Sequence, residues 1–145
     1  MLTRLLLLLV LVTSTVVAFP ASGQQPAAFT IGGESVAPGT RKDLRLSVAA
    51  RGEEPGTFIP ATVLHGNAPG PVLAVVAGVH GYEFAPIVTA ERLADRIDPA
   101  QLSGTLIIVR VANIPAFEAR SPYVNPVDRK NLNRSFPGSA DGTQT

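Results

Sequence analysis

The chain has 145 residues, 46% of them apolar, which suits one domain with a core or part of one. A net charge of +1 excludes a strongly basic nucleic-acid or anionic-membrane surface as the basis of function. The absence of cysteine excludes disulfides and thiolate metal sites, and leaves His and carboxylates as the strong metal ligands.

Residues 1–23 read as a secretory signal peptide. Arg4 gives the positive n-region, Leu5 to Val12 the apolar core, and Ala21-Ser22-Gly23 the small residues before a cleavage site at Gln24. Cleavage after Ala18 is the second option. The apolar run is short against the roughly 20 residues of a membrane span, and Pro20 interrupts its end. The mature protein is therefore expected to be secreted or periplasmic, without a stable membrane span. Residues 24–42 are expected to form a linker or N-terminal extension, since Gln24 to Gly39 is rich in Gly, Pro, Ala and Gln.

Leu44, Leu46 and Val48 alternate with polar residues, which predicts a half-exposed strand. Arg51 to Gly56 is a turn. Thr57 to His65 predicts a second strand, and Pro60 within it favours an edge or a bulge. Gly66 to Pro71 reads as a tight loop. Val72 to Ala77 is an unbroken apolar run before Gly78, which predicts a strand buried on both faces. Phe84, Ile87, Val88 and Leu93 recur with helical spacing, and the helix is expected to end near Ile97-Asp98-Pro99. Pro86 falls in its first turn, where a missing N–H costs little. Thr105 to Val111 predicts a second strongly apolar strand. Strand, helix, strand implies a crossover joining two parallel strands. The fold class is α/β with a mixed sheet, because an antiparallel hairpin precedes that unit. From Asn113 onward regular structure is expected to fade into a long loop, and Ser139 to Thr145 carry no core signal.

Ligands of open α/β sheets bind beyond the carboxyl ends of strands. His80 and Glu83 stand there, three residues apart, and imidazole nitrogen with carboxylate oxygen is a zinc donor set. The plain alternatives are a strand-end histidine and an acid favoured by a helix N-terminus. His65 ends the second strand and reads as a partly exposed histidine rather than a further ligand. Arg120, Asn133 and Arg134 are candidates for gripping a carboxylate, since a guanidinium does so with two parallel hydrogen bonds. Their plain alternative is loop arginines solvated or paired with Asp128.

Three stretches agree with one family. Gly78–Glu83 (GVHGYE), Asn113–Phe117 (NIPAF) and Asn125–Gly138 (NPVDRKNLNRSFPG) together resemble the succinylglutamate desuccinylase/aspartoacylase family, a branch of the zinc carboxypeptidase superfamily. The resemblance covers about Leu44 to Gly138. It implies an α/β/α sandwich, of which residues 43–145 would be the N-terminal portion with the C-terminal part missing. It implies a zinc cofactor held by His80 and Glu83. Asn133 and Arg134 would bind the substrate's carboxylate and carbonyl, and Arg120 would be a further substrate-side group. Asn131 stands where some members have Asp. The family's third ligand, a histidine, and its general-base glutamate lie further downstream than Gly138. The resemblance thus implies a hydrolase acting on an amide or ester bond of an N-acyl amino acid or short peptide, with these 145 residues inactive alone. An incomplete sheet is also expected to leave apolar strand faces uncovered. The rival reading is a non-catalytic secreted binding module that keeps the fold and the Asn-Arg loop.

Overall fold

The computed structural model describes residues 26–145. The signal peptide expected over 1–23 lies outside them. Two short strands, β1 (Phe29–Ile31) and β2 (Glu34–Val36), form a hairpin through Gly32 and Gly33, whose φ values of 57° and 80° suit glycine. Four longer strands follow: β3 (Thr40–Val48), β4 (Thr57–His65), β5 (Ala68–Val76) and β6 (Ser103–Val109). Helix α1 (Phe84–Arg96) connects β5 to β6, and a short helix α2 (Ile114–Glu118) follows β6. The sheet order is β3-β4-β6-β5. β4 is antiparallel to both β3 and β6, while β5 and β6 are parallel. The mixed sheet expected from the sequence is therefore present.

Each face of the sheet has its own apolar cluster. On one face Ala90 and Ala94 of α1 meet Leu64, Ala77, Leu106 and Ile108. Alanines on the buried stripe let the helix approach the sheet closely. On the other face Val36 of the small hairpin packs with Leu44 and Val63, backed by Phe29, Ile31, Leu46 and Ile107. Complete burial of a side chain such as Leu64 or Ile108 contributes about 1.5–3 kcal/mol.

Three stretches depart from the expectation. The stretch read as a linker over 24–42 folds from Phe29 onward, because Phe29, Ile31 and Val36 supply enough apolar surface to cover the sheet. β5 begins at Ala68 inside the predicted loop, and it is an edge strand rather than one buried on both faces. Val72 and Leu73 point to opposite faces and are 57% and 61% exposed, because among the described residues neither face is covered at that part of β5, the uncovered apolar faces expected from the sequence. β4 is interior despite Pro60, which lies just outside the stretch Ala61–His65 that pairs with β6. The long loop expected after Asn113 is present, interrupted only by α2 and by a single 3-10 turn at Leu132–Arg134.

The last residues are also tied down. The backbone N–H of Gln144 donates to Glu54, and its side-chain amide donates to the Pro55 carbonyl. Asp128 accepts from the Thr143 hydroxyl at 2.7 Å and from Thr145 N at 2.8 Å. Burial opposes ionisation of Asp128. The hydrogen bonds from Thr143, Thr145 and Lys130 outweigh it and hold the carboxyl below the usual carboxylate value.

Candidate metal centre

The site forms where β5 ends. Gly78 turns the chain with φ 65°, and a Cβ there would stand 2.8 Å from the Val111 Cα. His80 follows, then Gly81, then Glu83 at the N-cap of α1. Glu83 makes no capping hydrogen bond. Its carboxylate turns back instead, with Oε1 2.9 Å from His80 Nδ1 and Oε2 accepting from the His80 backbone N–H at 3.3 Å. That orientation disfavours the plain account of Glu83 as a helix-terminal acid. The two side chains present a nitrogen and an oxygen to one point, which is the donor pair a zinc ion takes. The His80 side chain is 14% exposed and the Glu83 side chain 41%, so the pair is open to solvent on one side.

The other His80 ring nitrogen, Nε2, lies 3.0 Å from Asn131 Oδ1. A metal-binding histidine commonly gives its second N–H to an oxygen acceptor, which fixes the ring and frees the other nitrogen. Asn131 is in that relation to His80. The same Oδ1 accepts from the Asn133 backbone N–H at 2.9 Å and so caps the turn that carries Asn133 and Arg134. One carboxamide oxygen thus joins the His80/Glu83 pair to the Asn-Arg turn. The ring of Tyr123 meets His80 edge-on, 5.5 Å between centroids.

Arg134 is exposed, and its Nη1 donates only to the Asn133 carbonyl at 3.2 Å. Arg120 has φ 51°, a left-handed backbone uncommon for arginine. It stands one residue before Ser121, whose carbonyl accepts from Gly81 N at 3.1 Å. Among the described residues neither arginine forms a salt bridge, so the pairing with Asp128 weighed from the sequence does not occur. The side chains of Arg120 and Arg134 are not drawn onto His80 or Glu83 by any hydrogen bond.

His65 is elsewhere. β4 runs antiparallel to β6, so its carboxyl end lies at the opposite end of the sheet. His65 is buried rather than partly exposed. Its Nδ1 bonds the Thr105 hydroxyl at 2.8 Å and its Nε2 the Ala27 carbonyl at 2.9 Å. Among the described residues no group of three His, Cys, Asp or Glu comes together. Two hollows lie nearby, of about 690 and 310 Å³. Neither is lined by His80 or Glu83; the smaller is an apolar space behind Asn113, Leu132 and Phe136.

A sequence model of the succinylglutamate desuccinylase/aspartoacylase catalytic domain matches residues 69–145. The chain belongs to that family. It is 39% identical over 88 residues to N-alpha-acetyl-L-2,4-diaminobutyric acid deacetylase from Halomonas elongata, covering 61% of this chain and 25% of that protein. The product-bound ectoine utilization protein EutE (DoeB) from Ruegeria pomeroyi superposes with a TM-score of 0.62 at 38% identity, covering 71% of this chain and 32% of that one. An aspartoacylase family protein from Mesorhizobium loti gives a TM-score of 0.64 at 30% identity, over 83% of this chain and 36% of that one. The chain therefore spans about a quarter of the curated relative and about a third of the solved structures.

The sequence reading of this family site did not include Asn131 among its functional groups. The available signal was its place two residues before Asn133. Its bond to His80 spans 51 positions and is invisible to local pattern.

Proposed function

We propose that the chain carries the front part of a zinc-dependent hydrolase site that cleaves an amide or ester bond of an N-acyl amino acid or short peptide. The observation that carries this is the 2.9 Å approach of His80 Nδ1 and Glu83 Oε1, with Nε2 tied to Asn131. Family membership and the deacetylase relative support the reaction class.

Bound zinc would supply Lewis acidity at the scissile carbonyl and acidify a water. The chain's own residues hold and orient. His80 and Glu83 offer two donors on one short turn. Asn131 holds the His80 ring so that Nδ1 stays available. Arg134, exposed and paired only with a backbone carbonyl, is free to grip a substrate carboxylate or a developing oxyanion, with Asn133 beside it. Arg120, just past α2 and beside Ser121, would be a further substrate contact. A catalytic zinc takes three protein ligands, and the described residues provide two. We accordingly expect no turnover from these 145 residues alone. Export is part of the same proposal, resting on residues 1–23. N-terminal sequencing of the mature protein tests it, with Gln24 or Phe19 as the expected first residue.

Zinc titration followed by imidazole NMR tests the metal assignment. The chain has only two histidines. His80 ring signals should shift with zinc, and His65, bonded on both nitrogens, should not. Glu83→Gln should weaken the response tenfold or more, on the order expected for losing a charged ligand. An unmoved His80 at millimolar zinc would overturn the assignment.

A further inference from the structure

The NIPAF segment has no part in the proposed chemistry, yet its first residue is among the most enclosed polar groups of the fold. Asn113 is 3% exposed. All four of its nitrogen and oxygen atoms hydrogen-bond. Its backbone N–H donates to the Gly78 carbonyl at 3.0 Å, and its carbonyl accepts from Phe117 N at 3.0 Å. Its side-chain Oδ1 accepts from Ala116 N at 3.2 Å, capping α2. Its Nδ2 donates to the Val79 carbonyl at 3.4 Å.

The last of these bonds reaches the site. The Val79 carbonyl belongs to the peptide group whose N–H is that of His80. That N–H donates to Glu83 Oε2 at 3.3 Å. One rigid peptide plane is therefore held at its oxygen by Asn113 and at its nitrogen by the Glu83 carboxylate. Its orientation sets where the His80 side chain leaves the backbone. The turn is also held from the next residue, since Gly81 N donates to the Ser121 carbonyl at 3.1 Å just past α2, and a Cβ on Gly81 would stand 2.2 Å from the α2 carbonyl of Ala116.

We propose that Asn113 is a positioning residue for the His80/Glu83 pair, acting through the Val79–His80 peptide group. A carboxamide is what the position requires. It must accept from a helix N–H and donate to a strand-end carbonyl at once. An ionised carboxylate only accepts, and it would face the Val79 oxygen with like polarity. The geometry stands without a metal; its functional meaning rests on the metal reading of His80 and Glu83.

The test uses Asn113→Asp, which keeps the capping oxygen, in the 145-residue chain. Without metal, the His80 amide should exchange with solvent about tenfold faster than in the unchanged chain, the loss of roughly one hydrogen bond's worth of protection. The Ala116 amide should stay within about twofold, because its cap is kept. On zinc titration, the midpoint of the His80 ring shift should rise about tenfold or more, the range seen when an outer partner of a metal ligand is lost. Asn113→Ser adds no charge and keeps a capping oxygen, but that single oxygen is one carbon nearer the backbone and, while it caps Ala116, does not span to the Val79 carbonyl as the two-headed carboxamide does, so it must show the same pattern; it decides the matter where the acidic variant does not fold. Unchanged His80 exchange in both variants overturns the clamp. Faster exchange with an unchanged zinc midpoint overturns the positioning role and leaves a structural one. A wild-type His80 that ignores zinc overturns the metal reading instead, and the exchange result still judges the clamp.

Discussion

Gly81→Ala is the sharpest probe of how the site is built. Gly81 is not a left-handed position, so its requirement is space alone. A Cβ there would stand 2.2 Å from the Ala116 carbonyl oxygen and 2.4 Å from that of Ser121. Real Cβ atoms essentially never come closer than about 3.0 Å to such an atom. Both obstacles are backbone, so neither can rotate away. The turn must retreat from α2 by most of an ångström, which breaks the Gly81 N–H to Ser121 bond. Overpacking costs about 1–3 kcal/mol, and the lost bond about 1 kcal/mol more. The expected loss is about 2–4 kcal/mol, read in urea as a fall in midpoint of about 1–2 M at an ordinary slope. The same retreat carries His80 off its hydrogen bonds, so zinc should move the His80 ring signals less. Gly142→Ala, whose Cβ would meet its nearest neighbour, the Ser139 carbonyl oxygen, at 3.1 Å in the C-terminal tail, serves as a milder control. A Gly81→Ala chain that unfolds within about 0.5 kcal/mol of the unchanged one would show that the turn does not depend on this contact.

Two further outcomes follow from the structure. Asp128 is held below its usual value of 3.8, so its contribution is present above that pH and is lost as pH falls through its folded-state value. Wild-type stability should therefore drop more steeply than that of Asp128→Asn below about pH 4, measured by urea unfolding at each pH; parallel curves would refute the tail contact. Glu34 is shifted the same way by its hydrogen bond and charge attraction to Lys42, which is why the comparison between variants, not the wild-type slope alone, is the readout. Leu73→Lys on the open edge of β5 should reduce self-association in sedimentation velocity while leaving the unfolding midpoint nearly unchanged, because Leu73 is 61% exposed and lysine blunts strand edges. Unchanged sedimentation would show that this edge does not drive association.

Much of the local structure was legible. Thr57–His65 appears as a strand with the predicted bounds, and α1 ends one residue before Ile97. Alternation and helical spacing report which side of an element is apolar, and those signals are local. The His80/Glu83 pair was legible for the same reason: both sit on one short turn after an apolar strand. The N-terminal hairpin was not, because Gly, Pro and Gln dominate a stretch whose few apolar residues matter only once Leu44 and Val63 lie beneath them. His65 was misread because its two partners, Thr105 and Ala27, are 40 and 38 positions away.

By itself the sequence determined the α/β class, the parallel unit around α1 and the closeness of His80 and Glu83 at the end of β5, since each follows from residues within one or two turns of chain. Only the tertiary structure decided that β6 lies between β4 and β5. That placement leaves an apolar strand open at the edge, and no periodicity reveals which neighbour covers a face. Only the tertiary structure brought Asn131 to His80 and Asn113 to the Val79–His80 peptide. Those bonds join segments 51 and 34 residues apart, and their partners are chosen by how the sheet stacks its strands rather than by any pattern along the chain.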